Sequence, residues 1–184
     1  MELRNKNGLT EQEFLATYNA DKYPKPSLTA DVVLFSRTRK RLRLLLIRRG
    51  GHPYLGCLAL PGGFADKNEP LEQTAARELL EETGIDRADI KLVGLFSKPG
   101  RDPRGWVVTA AYMALVDAEK ITVTAGDDAA DARWYDVTLT DSDVLLNVDD
   151  KEISLRDGTG FAFDHAEIIL RAADMLRHDE AGML

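Results

Sequence analysis

Glu78, Glu81 and Glu82 crowd into the run Arg77-Glu-Leu-Leu-Glu-Glu-Thr-Gly84-Ile85. On a helix, about 100° of rotation per residue would bring these three carboxylates onto an arc of roughly 100°. Such a cluster opposes the helix that carries it. Glu78 and Glu82 are a like-charged i,i+4 pair, which costs a few tenths of a kcal/mol. Glu81 and Glu82 also sit in the last turn, at the negative end of the helix dipole. Arg77 reaches Glu81 at i,i+4 but neutralises only part of the charge. A divalent cation would neutralise the rest. Carboxylate oxygens without neighbouring Cys or His ligands favour a hard ion, Mg²⁺ or Mn²⁺. Taken alone, an acidic run of this kind reads more simply as a solvated helix face.

The element that must hold these residues is a helix from about Leu71 to Thr83. Pro70 suits its first position and Gly84 its left-handed stop. Ala75, Ala76, Leu79 and Leu80 fall on a neighbouring arc, so one side can pack on a sheet while the other offers carboxylates. Pro61-Gly62-Gly63 precedes the helix as a loop where backbone can approach a ligand closely, or as an ordinary turn. Glu69 has two readings: a cap or support for the helix start, where negative charge is favourable, or a group that touches the metal cluster.

Elsewhere the pattern alternates. Thr10 with Glu13 forms a capping box, and Phe14, Leu15 and Tyr18 give that short helix an apolar side. Tyr23-Pro24-Lys25-Pro26 ends it. Val32–Phe35 and Leu42–Ile47 read as buried strands, Leu55–Leu60 as a weaker one, and Ile90–Phe96, Trp106–Val116 and Ala132–Val137 as further strands. Ile153 to Phe161 reads as a hairpin turning at Asp157-Gly158. Asp164 with Glu167 makes a second capping box before a helix carried by Ala166, Ile169, Leu170, Ala173 and Leu176. Strands among three helices indicate an α+β domain, layered α/β/α. No repeat or linker divides residues 1–184, so one domain is expected.

Composition narrows the function classes. With 31 acidic against 24 basic residues the net charge is −7, which disfavours a broad nucleic-acid footprint. An anionic ligand must then be met by local cations or metal. Cys57 is the single cysteine, which rules out an intrachain disulfide. The amino end lacks a signal-peptide core, and no apolar run is long enough to cross a bilayer. The expectation is a cytoplasmic protein with no membrane partner.

Gly63, five residues, Glu69, seven residues, Arg77-Glu78, an apolar residue, any residue, Glu81-Glu82, any residue, Gly84 and apolar Ile85 together resemble the Nudix hydrolase signature at every fixed position. The likeness covers these 23 residues, and the surrounding strand pattern extends it over most of the chain. It implies the Nudix fold, a mixed sheet between helices, and cleavage of a pyrophosphate joined to another moiety. By that resemblance Glu78, Glu81, Glu82 and the Gly62 carbonyl hold metal, Arg77 orients them, and Gly63 and Gly84 support the loop and helix end. Carboxylate-held Mg²⁺ shields the pyrophosphate and positions water, and a base completes deprotonation. In Nudix enzymes the base is a helix glutamate or a distant acidic residue. Asp127 and Asp128, in the loop before Arg133-Trp134, are candidates, with a solvated acidic turn as the equal alternative.

Pro99, fifteen residues past Gly84, and Gly100-Arg-Asp-Pro-Arg-Gly105 resemble the ADP-ribose pyrophosphatase branch. Cations on a Pro/Gly-rich loop suit a diphosphate, so Arg101 and Arg104, with Arg48 and Arg49 at a strand end, are substrate-binding candidates. Tyr23, Phe96, Trp106 and Tyr112 are available to an adenine, but aromatics at strand spacing are more often core. The expected activity is Mg²⁺-dependent hydrolysis of ADP-ribose to AMP and ribose 5-phosphate. The alternatives are another Nudix pyrophosphatase acting on a nucleoside triphosphate or NADH, and an ADP-ribose-sensing transcription regulator. Against the regulator stand the undamaged signature and the roughly eight residues after the last predicted helix, too few for a DNA-binding domain. The branch commonly dimerises, which makes a homodimer, exchanging the segment through Pro26, a further possibility.

Overall fold

The computed structural model describes residues 2–38, 41–86, 88–117, 129–148 and 151–181. The helices are α1 (Glu11–Thr17), α2 (Leu71–Thr83) and α3 (His165–Ala181). The strands are β1 (Ser27–Arg37), β2 (Leu42–Arg49), β3 (Leu58–Ala59), β4 (Gly62–Phe64), β5 (Lys91–Phe96), β6 (Val107–Val116), β7 (Ala129–Leu139), β8 (Val144–Val148) and β9 (Lys151–Ser154). They form one mixed sheet in the order β5-β6-β1-β2-β7-β8-β9, with β3 on β2 and β4 on β1. β1 and β6 run parallel, in register from Ser27 opposite Val107 to Ser36 opposite Val116.

The long apolar run of β1 is explained by burial on both faces. Val33 and Phe35, with Leu44 and Leu46 of β2, pack against Ile168, Ile169, Ala172 and Leu176 of α3. Ala30, Val32, Leu34 and Leu45 pack against Ala75 and Leu79 of α2. The result is the layered α/β/α arrangement expected. Burying a leucine such as Leu79, only 1% exposed, is worth about 1.5–3 kcal/mol and outweighs the few tenths lost to the like charges of α2.

Strand pairing opens the cleft. β1 and β2 are paired only from Phe35 to Arg37, against Leu42 to Leu44. Towards the other end of β1 its partner is β4, with Thr29, Ala30 and Asp31 opposite Phe64, Gly63 and Gly62. β2 meanwhile pairs with β3 at Ile47 and Arg48. The chain from Leu58 to Phe64 therefore enters the gap where two central strands separate, and it carries the glycine pair with it.

Several expectations need correction. α2 buries Thr74 and Thr83 alongside Ala75 and Leu79, while Ala76 and Leu80 face outward. Pro70 is the extended N-cap residue, not the first helical one. The hairpin lies elsewhere: β9 pairs with β8, and the turn at Asp157-Gly158 leads to a single bridge between Leu58 and Phe161. The Asp164 carboxylate is taken by Arg101, and α3 begins at His165. The α1 capping box forms, Thr10 Oγ1 accepting from the Glu13 amide and Glu13 Oε2 from the Thr10 amide, yet α1 buries none of its residues.

Candidate active site

Arg77 is the hub of the acidic helix. Its five N–H groups all find acceptors, the full capacity of a guanidinium. Nε and Nη2 meet the two oxygens of Glu69 at 3.0 Å each. Nη1 donates to Glu78 Oε1 at 2.6 Å and to Glu81 Oε2 at 3.2 Å, and Nη2 also reaches the Phe64 carbonyl at 3.0 Å. Glu69 accepts further from the Asp66 amide and the Thr74 hydroxyl. Hydrogen bonds from Arg77, Thr74 and Asp66 hold its carboxyl down at about 2. Of its two readings the geometry therefore matches support, delivered through Arg77 and not through the helix cap.

Arg77 leaves charge uncompensated deeper in. Burial pushes the Glu78 carboxyl up, against the pull of Arg77. Glu82 is pushed to about 8 by burial and by the charges of Glu78 and Asp31, although its Oε2 accepts the Gly62 amide at 2.9 Å. Glu78 and Glu82 line one cavity of about 770 Å³ together with Gly62, Gly63 and Phe64. A Cβ at Gly63 would stand 2.5 Å from the Glu78 carboxylate, and one at Gly62 would collide with the Ala30 carbonyl and Asp31. Both positions therefore require glycine, because the loop passes directly over acids.

Among the described residues no three acidic, His or Cys side chains already close on one point. Glu78 and Glu82 each keep one oxygen without a hydrogen bond among the described residues, while Glu81 is turned to Arg77. Two desolvated carboxylates fit a hard divalent ion of the Mg²⁺ type, which takes one or two protein carboxylates and fills its remaining positions with water and phosphate. An all-carboxylate pair favours such an ion over zinc, whose sites usually include nitrogen or sulfur donors.

The opposite wall is cationic. Arg49 and Arg104 lie over the Phe163 ring at 5.1 and 5.3 Å, and Arg104 lies 4.8 Å from the Phe64 ring. Arg104 is paired with Asp102 at 2.7 Å. Arg49 donates from Nε to the Pro53 carbonyl, and its pKa is lowered by burial and by Arg104. Phe163 has φ +52°, a conformation side chains rarely adopt, and is held between Tyr54 and His165. A second cavity, of about 70 Å³, continues inward from Arg49, Gly62 and Arg104 to Asp31, Arg101 and His165.

The structure separates the sequence candidates. Glu78, Glu82, Arg77, Gly62, Gly63 and Arg104 line the cleft, and Arg101 lies at its inner end, 8% exposed and bound by both oxygens of Asp164. Arg48 does not join them. It points away to the Gly56 carbonyl, and its neighbour Arg49 lines the cleft instead, since adjacent strand residues face opposite ways. Pro99 is exposed in the preceding turn and lines neither cavity. Gly84 ends α2 with φ +73°. Asp127 and Asp128 lie outside the described residues. Sequence reading passed over Asp31, Phe163 and His165. A lone carboxylate inside the apolar run Ala30 to Phe35 was the one signal available for Asp31.

Comparison with known proteins agrees with this geometry. The NUDIX domain model matches residues 25–155. The ADPR responsive transcriptional repressor NtrR of Acinetobacter baylyi is 43% identical over 60% of this chain and 45% of its own length. The ADP-ribose pyrophosphatase of Methanocaldococcus jannaschii is 37% identical over 62% of this chain and 64% of its own. The matches thus span less than two thirds of either relative. The NUDIX domain of Shewanella oneidensis NrtR, solved with ADP ribose, is 33% identical with a TM-score of 0.72, covering 91% of this chain and 99% of that one. The family model spans well over half of the sequence and an intact acidic helix faces the cleft: the chain belongs to the NUDIX domain family.

Proposed function

We propose that this chain hydrolyses the pyrophosphate bond of a nucleoside diphosphate derivative, ADP-ribose first among them, with Mg²⁺ or Mn²⁺ as cofactor. One observation carries the reading. Glu78 and Glu82 form an under-neutralised acidic pole and Arg49 and Arg104 a cationic one, both facing the cleft across Gly62, Gly63 and Phe64. A diphosphate with its cation satisfies both poles at once. The ADP-ribose pyrophosphatase relative supports the choice of substrate.

Each pole has its task. Glu78 and Glu82 would hold a divalent ion, which when bound would supply charge neutralisation and a lowered pKa for water. Arg77 fixes Glu78 and parks Glu81, which joins by turning away from the guanidinium. Arg49 and Arg104 hold phosphate oxygens and stabilise charge on the leaving side. Phe64 and Phe163 keep the guanidinium pair in a partly dry setting, where its field is stronger than in water. Asp127 and Asp128 remain the bases we propose.

The test is a product assay. A panel of ADP-ribose, NADH, diadenosine polyphosphates and nucleoside triphosphates is incubated with and without Mg²⁺, and the products are weighed by mass spectrometry in oxygen-18 water. AMP and ribose 5-phosphate from ADP-ribose, with the highest kcat/KM, is the expected result. A triphosphate ranked first overturns the substrate.

The second reading is ADP-ribose sensing without turnover, favoured by the NtrR relative and by the ADP-ribose-bound NrtR domain. Tight ADP-ribose binding, no product with either ion, and a gel shift on promoter DNA would establish it.

A further inference from the structure

Two buried residues face the inner cavity with polar atoms that the chemistry above leaves unused. His165 is 4% exposed and Asp31 6%. His165 Nδ1 accepts the Leu60 amide at 2.9 Å, so the neutral ring carries its proton on Nε2. Burial favours that neutral form. Nε2 stands 3.7 Å from Asp31 Oδ1, too far for a hydrogen bond, and neither atom has another hydrogen-bond partner among the described residues. Asp31 Oδ2, by contrast, is taken by the Thr109 hydroxyl at 2.6 Å.

A donor and an acceptor 3.7 Å apart, both facing the same small cavity, specify their occupant. It must accept one hydrogen bond and donate another from a single atom. A phosphate oxygen only accepts, and it would meet the Asp31 charge. An ammonium only donates. A hydroxyl does both. The cavity, about 70 Å³, admits a few heavy atoms and no nucleobase. Its mouth lies at Arg49 and Arg104, so a group reaching His165 has its phosphate at the cationic pole. At the inner end Arg101 is already committed to both oxygens of Asp164, so the cavity floor carries little free positive charge for a second anion.

We propose that the inner cavity is a hydroxyl-reading subsite: one hydroxyl of the group beyond the diphosphate accepts from His165 Nε2 and donates to Asp31 Oδ1, selecting nucleoside diphosphates esterified to a polyhydroxylated moiety. This rests on the pyrophosphatase reading for the pose of the diphosphate. Leaving two buried groups unpaired is what makes such a site reject an analogue without the hydroxyl.

The experiment is a cycle on ligand and protein, read by calorimetric binding in Ca²⁺ with the full chain. The ligands are ADP-ribose and an ADP alkyl ester lacking hydroxyls beyond the diphosphate. The proteins are wild type, His165→Gln and Asp31→Asn, two variants so that the loss of one fold does not end the test. ADP-ribose should bind wild type about ten- to a hundredfold more tightly than the alkyl ester. That ratio should fall towards unity in the variants, through weaker ADP-ribose binding and unchanged ester binding. Equal affinities in wild type overturn the subsite. An undiminished ratio in whichever variant folds also overturns it, because the hydroxyls are then read elsewhere and the cavity holds water only. Absence of ADP-ribose cleavage in Mg²⁺ defeats the pyrophosphatase reading separately and leaves the binding ratio to judge the subsite.

Discussion

Arg77 and Glu69 meet as two planar forks, Nε to Oε1 and Nη2 to Oε2, both at 3.0 Å. Glu69 precedes α2 and Arg77 lies within it, so this pair ties the loop leaving β4 to the helix that carries the acids. Only a guanidinium can fill the position. A lysine brings the charge but three donors from one point, and it cannot grip Glu69 from two sides while holding Glu78. Arg77→Lys should lower kcat about ten- to a hundredfold with the fold retained. Steady-state kinetics with a circular-dichroism check decides it, and wild-type kcat in the variant removes Arg77 from its assigned role. The same pair sets an acid limit. Glu69 is held at about 2, below its ordinary 4.5, so its stabilising contribution is complete above 4.5 and fades as pH falls towards 2. Glu69→Gln should flatten that part of the acid-unfolding curve.

Glu82 has the opposite sign. Its carboxyl is raised from 4.5 to about 8 in the metal-free fold. Between those values the folded chain keeps a proton that the unfolded chain releases, so stability is full below about 4.5 and declines as pH rises towards 8. Glu82→Gln should be the more stable protein at pH 8 in chelator, by several degrees in Tm, and should lose at least about a hundredfold in kcat. Mg²⁺ competes with that proton, so its Tm increment should be larger at pH 8 than at pH 6. Scanning calorimetry in chelator and in Mg²⁺ reads the Tm changes, and steady-state kinetics the loss in kcat. Identical Tm profiles for wild type and variant would show that Glu82 is not a strained acid.

Arg48 and Arg49 offer a controlled comparison of neighbours. Both end β2, yet Arg48 is tied to the Gly56 carbonyl outside the cleft and Arg49 faces Arg104 across Phe163. Arg49→Met keeps the stem and removes the charge. It should raise KM for a diphosphate substrate about tenfold or more, while Arg48→Met should change kcat/KM by less than about twofold. The reverse ranking would place the phosphate on the other side of the strand.

What could be read in advance follows range of interaction. Local patterns sufficed for the Thr10 and Glu13 capping box, for α2 with its Gly84 stop, and for the buried strands β1 and β2, because each is decided within a few residues. The acidic helix was legible for the same reason: i,i+4 repulsion is a sequence property. The cationic wall was legible only as a set of candidate arginines. Choosing Arg49 over Arg48 needs the strand's phase against the sheet, and seating Arg104 needs Phe163, which lies far away in the chain and is brought to the cleft by long-range contacts such as the bridge of Leu58 to Phe161. β8 was missed because its partner is β9, and Asp157-Gly158 offered a more obvious turn to the wrong side. His165 gave no signal of its own in the sequence, and the role proposed for it exists only where α3 approaches β1.

Gly63 and Gly84 separate a glycine needed for space from one needed for backbone shape. At Gly63 an added methyl would lie 2.5 Å from all three terminal atoms of Glu78. Glu78 is also bound to Arg77 at 2.6 Å, so it has little room to retreat, and the displacement falls on the carboxylate assigned to the metal. Gly63→Ala should therefore weaken Mg²⁺ binding and cut kcat about a hundredfold, with only a modest change in Tm. At Gly84 the cost is conformational. Its φ of +73° closes α2 through the Leu80 carbonyl, and an alanine there costs about 1 kcal/mol. In a chain of this size that is a Tm loss of roughly 2–4 °C, with kcat close to wild type below the transition. The two variants thus predict opposite rankings in activity and in stability. If Gly63→Ala keeps full turnover, the Gly62-Gly63 loop does not bear on Glu78, and the acidic pole must be assembled from another direction.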